Sequence, residues 1–247
     1  MLKLRNAIAT MLVLAIKQNV GAQGFINLNF ESANISNSTA LAYPIPISDG
    51  LPGWNGYFTS GTNPYQVTQV TYDGLSLAGA TISINDSNTP VFGPISGRYS
   101  AMLFGGAEGD GLASASISQT GLVPSGTESL LFDAHVSGAL FTVTLGGQTI
   151  AMQPLQTFFN YTLYGGNIPS DLAGQSETLM LTEPPAVGAQ PSMFELDNIQ
   201  FSNSSVPEPS AFGLTALCGI FIASRRYNRQ NVRLLPTNLR SRRRSQT

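Results

Sequence analysis

Cysteine and histidine are nearly missing from this chain of 247 residues, with one of each, and only 11% of it is Asp, Glu, Lys or Arg. A single cysteine excludes a disulfide scaffold, and one Cys with one His excludes a zinc cluster built from those ligands. The charged fraction is less than half of the roughly 25% usual for a soluble domain. That scarcity excludes a long helical bundle or coiled coil, which needs Glu, Lys and Arg in bulk. Disorder is excluded from the other side, because 42% of the residues are hydrophobic. What is abundant is Gly (25), Pro (15) and, filling much of the rest, Ser, Thr and Asn. These are the residues of turns and of strands with one wet face.

The few charges are sorted along the chain. Lys3, Arg5 and Lys17 stand at the start and eight arginines lie between Arg225 and Arg244. Between those two basic ends there is one base, Arg98, against all fourteen acids, a charge of −13. Such a division suits a chain that crosses a membrane, because cationic segments stay on the cytoplasmic side. A body this acidic excludes nucleic acid as a partner, and no phosphate-binding loop is present.

Residues 1–22 read as a secretory signal peptide. Lys3 and Arg5 form a cationic start, Ala7 to Ile16 an apolar run of ten, and Val20 and Ala22 the small-residue positions before a cut at Gln23. At the other end Val206, Pro207, Glu208 and Pro209 precede an apolar stretch, residues 211–223, and then Arg225 and Arg226. Thirteen residues are short of the roughly 20 of an unaided span, but the arginines that follow predict a short transmembrane helix with its basic end inside. Residues 227–247 form a basic cytoplasmic tail. Cys218 lies within the apolar stretch and reads as a packing residue.

The body, 23–205, is one domain's worth of chain. Leu130, Phe132, Ala134 and Val136 alternate with other residues, as do Phe141, Val143 and Leu145 ahead of the hairpin signal Gly146-Gly147. Ile26, Leu28 and Phe30 alternate with Asn27, Asn29 and Glu31, which predicts a first strand. The apolar phase slips by one at Asp197-Asn198, as at a bulge. The stretch from Phe158 to Tyr164 reads as an ordinary strand. No segment holds a helical period, so the expected fold class is all-β, a β-sandwich of the jelly-roll kind.

The residues from Val206 to Arg226 resemble the PEP-CTERM sorting signal of Gram-negative bacteria. That resemblance implies an exosortase and the secretion machinery as partners, residues 206–226 as the sorting signal, and an envelope or extracellular location associated with exopolysaccharide. This chain runs some 20 residues further than such tails usually do. The body is similar to the carbohydrate-binding-module-like jelly rolls of these sorted proteins. The likeness rests on Ile26 to Glu31 with Gly50 to Trp54, on Ile95 to Leu103, and on Glu195 to Phe201. In such modules the acid after the first strand and the acid of the closing strand help to hold a structural Ca²⁺. Those positions are Glu31 and Asp197 here, and the alternative is a pair of solvated edge acids.

A sugar-binding face needs flat aromatic rings, and Trp54, Tyr57 and Tyr65 (with Phe58) cluster in a polar stretch that suits it. The competing role for Trp54 is to plug the end of the core. Catalysis is poorly supported. A Ser-His-Asp hydrolase would have to use His135 beside Asp133, and no Gly-x-Ser-x-Gly elbow occurs. Glu108 and Asp110 are carboxylates without a visible cleft, and Gly105 to Gly111 reads as a glycine-rich turn. The expectation is an exported, non-catalytic protein associated with exopolysaccharide. The alternatives are a surface glycoside hydrolase or lyase, or a structural matrix protein without a ligand site.

Overall fold

The computed structural model describes residues 23–36, 40–74, 79–89, 93–108, 111–138, 140–185 and 192–207. The expected signal peptide, the apolar stretch 211–223, Glu208, Pro209, Arg225, Arg226 and the basic tail lie outside these residues. Among the described residues no helix is long and apolar enough to cross a membrane. The chain divides into two units, Met1–Asn203 and Ser204–Thr247, and the fold below belongs to the first.

Among the described residues, fourteen strands and one helical turn follow one another. They are β1 (Tyr43–Pro46), α1 (Ile47–Gly50), β2 (Asn55–Ser60), β3 (Asn63–Val67), β4 (Gln69–Tyr72) and β5 (Thr81–Asn85). Then come β6 (Ser100–Glu108), β7 (Gly111–Leu122), β8 (Ser129–Ser137), β9 (Thr142–Leu145) and β10 (Gln148–Thr149). The series closes with β11 (Gln153–Thr157), β12 (Thr162–Asn167), β13 (Ser176–Glu183) and β14 (Ser192–Ser202).

They form an all-β sandwich. One sheet runs β3-β2-β7-β13-β9-β10, and the other β1-β4-β5-β6-β14-β8-β12-β11. The long strand β6 joins them. Its first half pairs with β5 and β14, and its last residues, Gly106 to Glu108, pair with β7. Among the described strands every pairing is antiparallel except β4 with β5, where Thr71 faces Ser83 and Tyr72 faces Ile84 in parallel register, and Gly24 makes an isolated parallel bridge to Leu122.

Alternation assigns each strand its faces. Ala115 and Ile117 of β7, Leu179 and Leu181 of β13, and Val143 and Leu145 of β9 point inward from the first sheet. Ile82, Leu103, Phe194, Leu196, Leu130 and Phe132 point inward from the second. The alternation Leu130-Phe132-Ala134 holds as expected, and the Gly146-Gly147 turn joins β9 to β10. The bulge is also present. The β14–β8 register slips between Asp197 and Gln200, and Asn198 sits at φ 50°.

Two expectations fail. Ile26 to Phe30 is not a strand, although its residues alternate. The Gln119 side chain takes both the N–H and the C=O of Ile26 (2.6 and 3.0 Å), and Asn27 Oδ1 accepts the N–H of Ser32 at 2.9 Å. These side-chain bonds replace the ladder and turn the chain, so that Phe30 enters the core at φ 56°. Residues 158–161 are likewise a turn between β11 and β12. It carries a stacked Phe158–Tyr161 pair at 4.6 Å and a fully exposed Phe159.

Among the described strands, the four that stand at sheet edges are blunted against further strand pairing. β1 carries Pro44 and Pro46, β3 carries Pro64, β11 carries Pro154, and β10 is two residues long.

Candidate functional site

Trp54, Tyr57 and Tyr65 part company in the fold. Trp54 is 4% exposed, its indole N–H donates to Asn27 O at 3.1 Å, and its ring lies 5.7 Å from Phe30. It belongs to the core, and no face of it is open to a sugar. The β2–β3 register sets Tyr57 opposite Gln66 and Phe58 opposite Tyr65. Since neighbours in a strand point to opposite faces, Tyr57 and Tyr65 are on different sides of the hairpin. Tyr65 is 43% exposed and meets Phe58 edge-on at 5.8 Å. Of the three, Tyr57 alone stands on the outer face of the first sheet.

That face has a uniform chemistry. β2 contributes Asn55, Tyr57 and Thr59, β3 Gln66, and β7 Ser114, Ser116, Ser118 and Thr120. β13 adds Thr178, Met180 and Thr182, and β9 adds Thr142 and Thr144. Among the described strands of this face there is no charged residue. The hydroxyls are tied laterally, Ser116 to Thr182 at 2.9 Å and Thr120 to Thr178 at 2.7 Å, while Gln66 Nε2 donates to Asn55 Oδ1 at 3.1 Å. Ser116 and Ser118 lie under their neighbours, whereas Asn55, Gln66 and Thr120 are exposed and Tyr57 is half-buried. The result is a rigid array of neutral donors and acceptors around one phenol ring. Such groups pair with the hydroxyls of a neutral polyol, and the ring supplies an apolar surface for its C–H face.

Glu31 and Asp197 converge on one loop from opposite ends of the sequence. Glu31 Oε1 accepts the backbone N–H groups of Arg98 (2.8 Å) and Tyr99 (3.1 Å). Asp197 Oδ2 accepts the N–H of Ser96 (3.1 Å) and the hydroxyl of Ser100 (3.3 Å), and its Oδ1 the N–H of Asn198 (2.7 Å). Gly97, at φ 60°, allows the approach, because a Cβ there would stand 2.2 Å from Glu31 Oε1. Burial, and secondarily the charge of Glu31, push Asp197 up to about 7 against donated hydrogen bonds that act the other way. The donor set fits Ca²⁺ in type, since both are hard carboxylate oxygens with lone pairs still uncommitted. Among the described residues no three of His, Cys, Asp and Glu gather as a metal site.

Beside Asp197, on the same face of β14, stands Glu195, a residue that sequence reasoning passed over. It is 1% exposed, its Oε1 has no hydrogen-bond partner, and burial with the nearby Asp197 charge raises it to about 8. Its flanks are Met102, Phe104 and Met193, a small apolar cluster separate from the main core. Across the β8 ladder it faces His135, which burial lowers, while Asp133 faces Asp197 and accepts a 3.0 Å bond from Asn198 Nδ2. The available signal was an acid placed in the outward phase of an otherwise apolar strand. At the end of β13, Glu183 points inward with both carboxylate oxygens unpartnered and is likewise raised to about 8 by burial. Glu108 ends β6, and Asp110 lies outside the described residues.

No family model matches this chain, and no curated protein matches it by sequence. It is similar in structure to an apo-form cyclase from Fischerella sp., at 17% identity and a TM-score of 0.42, over 72% of this chain and 93% of that one. It is also similar to the module TmCBM61, solved with β-1,4-galactotriose, at 11% identity and a TM-score of 0.37, over 74% and 99% of the two chains. A third likeness is to the family 11 carbohydrate-binding module of Clostridium thermocellum, solved with a β-1,3-1,4-mixed-linked tetrasaccharide. It has 11% identity and a TM-score of 0.31, over 68% and 100%. Likenesses this distant lend the chain neither a ligand nor an activity.

Proposed function

We propose that this protein is an exported, non-catalytic β-sandwich that associates with neutral polysaccharide of the cell envelope or extracellular matrix. The observation that carries the reading is the uncharged outer face of the first sheet, where Tyr57 stands between Gln66 and Ser116 among hydroxyl and amide groups. A charged polymer would find no counter-charge there, and a neutral glycan finds both hydrogen-bonding partners and a ring. Export and sorting rest on the two ends of the sequence, with Val206 to Pro209, the apolar stretch and Arg225-Arg226 offered to an exosortase. Ca²⁺ belongs, on this reading, at Glu31 and Asp197, where it would neutralise buried negative charge and fix the loop 95–100.

The catalytic alternative has one observation in its favour, the row of Glu195, Asp133 and His135 on the outer face of the second sheet. Against it, Glu195 is buried away from any substrate. Self-assembly by strand addition, the route open to a structural matrix protein, meets a proline or a two-residue strand at each edge formed by the described strands.

Two measurements test the reading. Intact mass and fractionation from the native host give a product beginning near Gln23 in the envelope or medium if the ends act as addresses. A full-length cytoplasmic product contradicts export. Co-sedimentation with insoluble neutral glucans and galactans gives saturable binding, with no turnover of the polymer. Absence of binding, or release of reducing ends, contradicts the non-catalytic glycan role.

A further inference from the structure

On one side of the sandwich the chain crosses between the two sheets twice. Leu140 and Phe141 lead from β8 into β9, and Ile150 to Met152 return from β10 into β11. Between the crossings lies a cavity of about 380 Å³, walled by Leu140, Phe141, Val143, Ile150, Met152 and Tyr164. That volume admits a molecule of roughly ten to twenty non-hydrogen atoms. None of the lining residues is charged.

The cavity is preformed. Its floor is an aromatic box in which Phe141 lies parallel to Phe194 at 4.4 Å and meets Tyr164 (5.1 Å) and Phe132 (5.5 Å) edge-on. The returning crossing is pressed tightly on β12. A Cβ at Gly166 would lie 2.7 Å from Ile150 Cγ2 and 2.8 Å from both Ala151 O and Met152 Sδ. With floor and wall fixed in this way, side chains do not close the space by moving inward. Leu140, 84% exposed, stands at the mouth.

One wall is polar. The phenol of Tyr164 is half-buried and has no hydrogen-bond partner among the described residues. Burial alone raises its pKa, so at neutral pH it is a proton donor aimed at nothing in the protein. A sugar ring would bring several hydroxyls against Leu140, Val143, Ile150 and Met152, where most would lose their water without replacement. A molecule with an apolar body and one acceptor matches the apolar walls and the Tyr164 donor, with Thr142 and Thr149 as the other polar residues of the lining.

We propose that this lateral cavity binds an uncharged, largely apolar ring compound whose one polar group accepts a hydrogen bond from the Tyr164 hydroxyl. The site lies at the β9–β10 edge, three strands from Tyr57 although Thr142 belongs to both surfaces, and the proposal stands independently of glycan association.

The test titrates the full-length protein with the uncharged fluorophore N-phenyl-1-naphthylamine, then displaces it with 2-acetylnaphthalene and with 2-ethylnaphthalene. The expected result is one saturable site, with the acetyl compound about fivefold to tenfold the better competitor, as one added hydrogen bond allows. Tyr164→Phe is expected to abolish that preference while leaving the ethyl compound unchanged. Ala151→Trp, at an exposed position on the wall, is expected to weaken fluorophore binding tenfold or more at an unchanged thermal midpoint. Thr149→Trp, on exposed β10, blocks the opposite wall and serves where Ala151→Trp lowers the midpoint. The proposal is overturned if the fluorophore does not bind saturably, or binds both tryptophan variants as it binds the parent. It is also overturned if the acetyl preference survives Tyr164→Phe, or if galactose or cellobiose displaces the fluorophore.

Discussion

Glu195 and His135 stand directly opposite each other on β14 and β8, on the face of the second sheet turned away from the main core. Both are titratable, and burial moves both toward their neutral forms, the carboxyl upward and the imidazole downward. With Asp197 raised to about 7, Glu183 to about 8 and Asp73 also raised by burial, four carboxyl groups hold protons more tightly in the folded chain than in the unfolded one. Asp133 and Glu31 complete the acids around this face and its loop.

Stability is therefore expected to fall as pH rises. A carboxyl with a raised folded pKa stabilises the fold fully below its unfolded value, near 4, and that contribution is lost as pH climbs through 7 to 8. His135 has the opposite sign, costing stability below about pH 6.5. Against its burial, donated hydrogen bonds hold Asp86 below the ordinary value, so it loses its contribution only in stronger acid. Between pH 5 and pH 8 one group therefore opposes the raised carboxyls. The thermal midpoint should drop by about 5 °C or more between pH 5 and pH 8. Glu195→Gln, which keeps the shape and removes the charge, should flatten the profile. A midpoint that rises over this range contradicts the assignment.

The loop 95–100 should depend on the two acids that hold it. Glu31→Ala removes the acceptor of two backbone N–H groups at an exposed carboxylate, a loss of about 1 kcal/mol. The signature is local: amide hydrogen exchange at Arg98 and Tyr99 should quicken while core strands such as β8 keep their protection. Unchanged exchange at those amides would show that the loop is held by other contacts.

Calcium binding at the same loop predicts a coupled effect. Millimolar calcium chloride at pH 8 should raise the thermal midpoint, because it offsets carboxylates that are then forced to ionise. Asp197→Asn should remove the calcium response. A calcium-independent midpoint in the parent protein excludes a structural ion at this pair.

Trp54 and Tyr57 should separate stability from binding. Trp54→Ala empties a core site next to Phe30 and should cost about 3–5 kcal/mol, read as a lowered denaturation midpoint. Trp54→Phe, which keeps most of the volume, should cost less and leave polysaccharide binding as it is. Loss of binding in Trp54→Phe without loss of stability would return Trp54 to the ligand site.

Much of the sandwich was legible in the alternation of its strands, because one dry face imposes a period of two on Leu130 to Val136 and on Val143 to Leu145. The phase slip at Asp197-Asn198 was readable for the same reason. Alternation misled at Ile26 to Phe30, where Asn27 and the distant Gln119 supply hydrogen bonds that a periodicity count does not include. The aromatic cluster was misjudged because Trp54 lies in the turn before β2, while Tyr57 and Tyr65 occupy opposite phases of a hairpin whose register only the fold sets. Glu195 and the cavity beside Tyr164 depend on partners across strands, such as His135 and Phe141, and adjacency along the chain does not record those.

The most direct test is the affinity of the parent protein and of Tyr57→Ala for a neutral polysaccharide, measured by affinity electrophoresis at matched thermal stability. Retardation by the polymer that falls about tenfold or more in Tyr57→Ala, as loss of a stacking ring allows, supports the outer face of the first sheet as the glycan site. Equal retardation of the two proteins, or none in either, contradicts it.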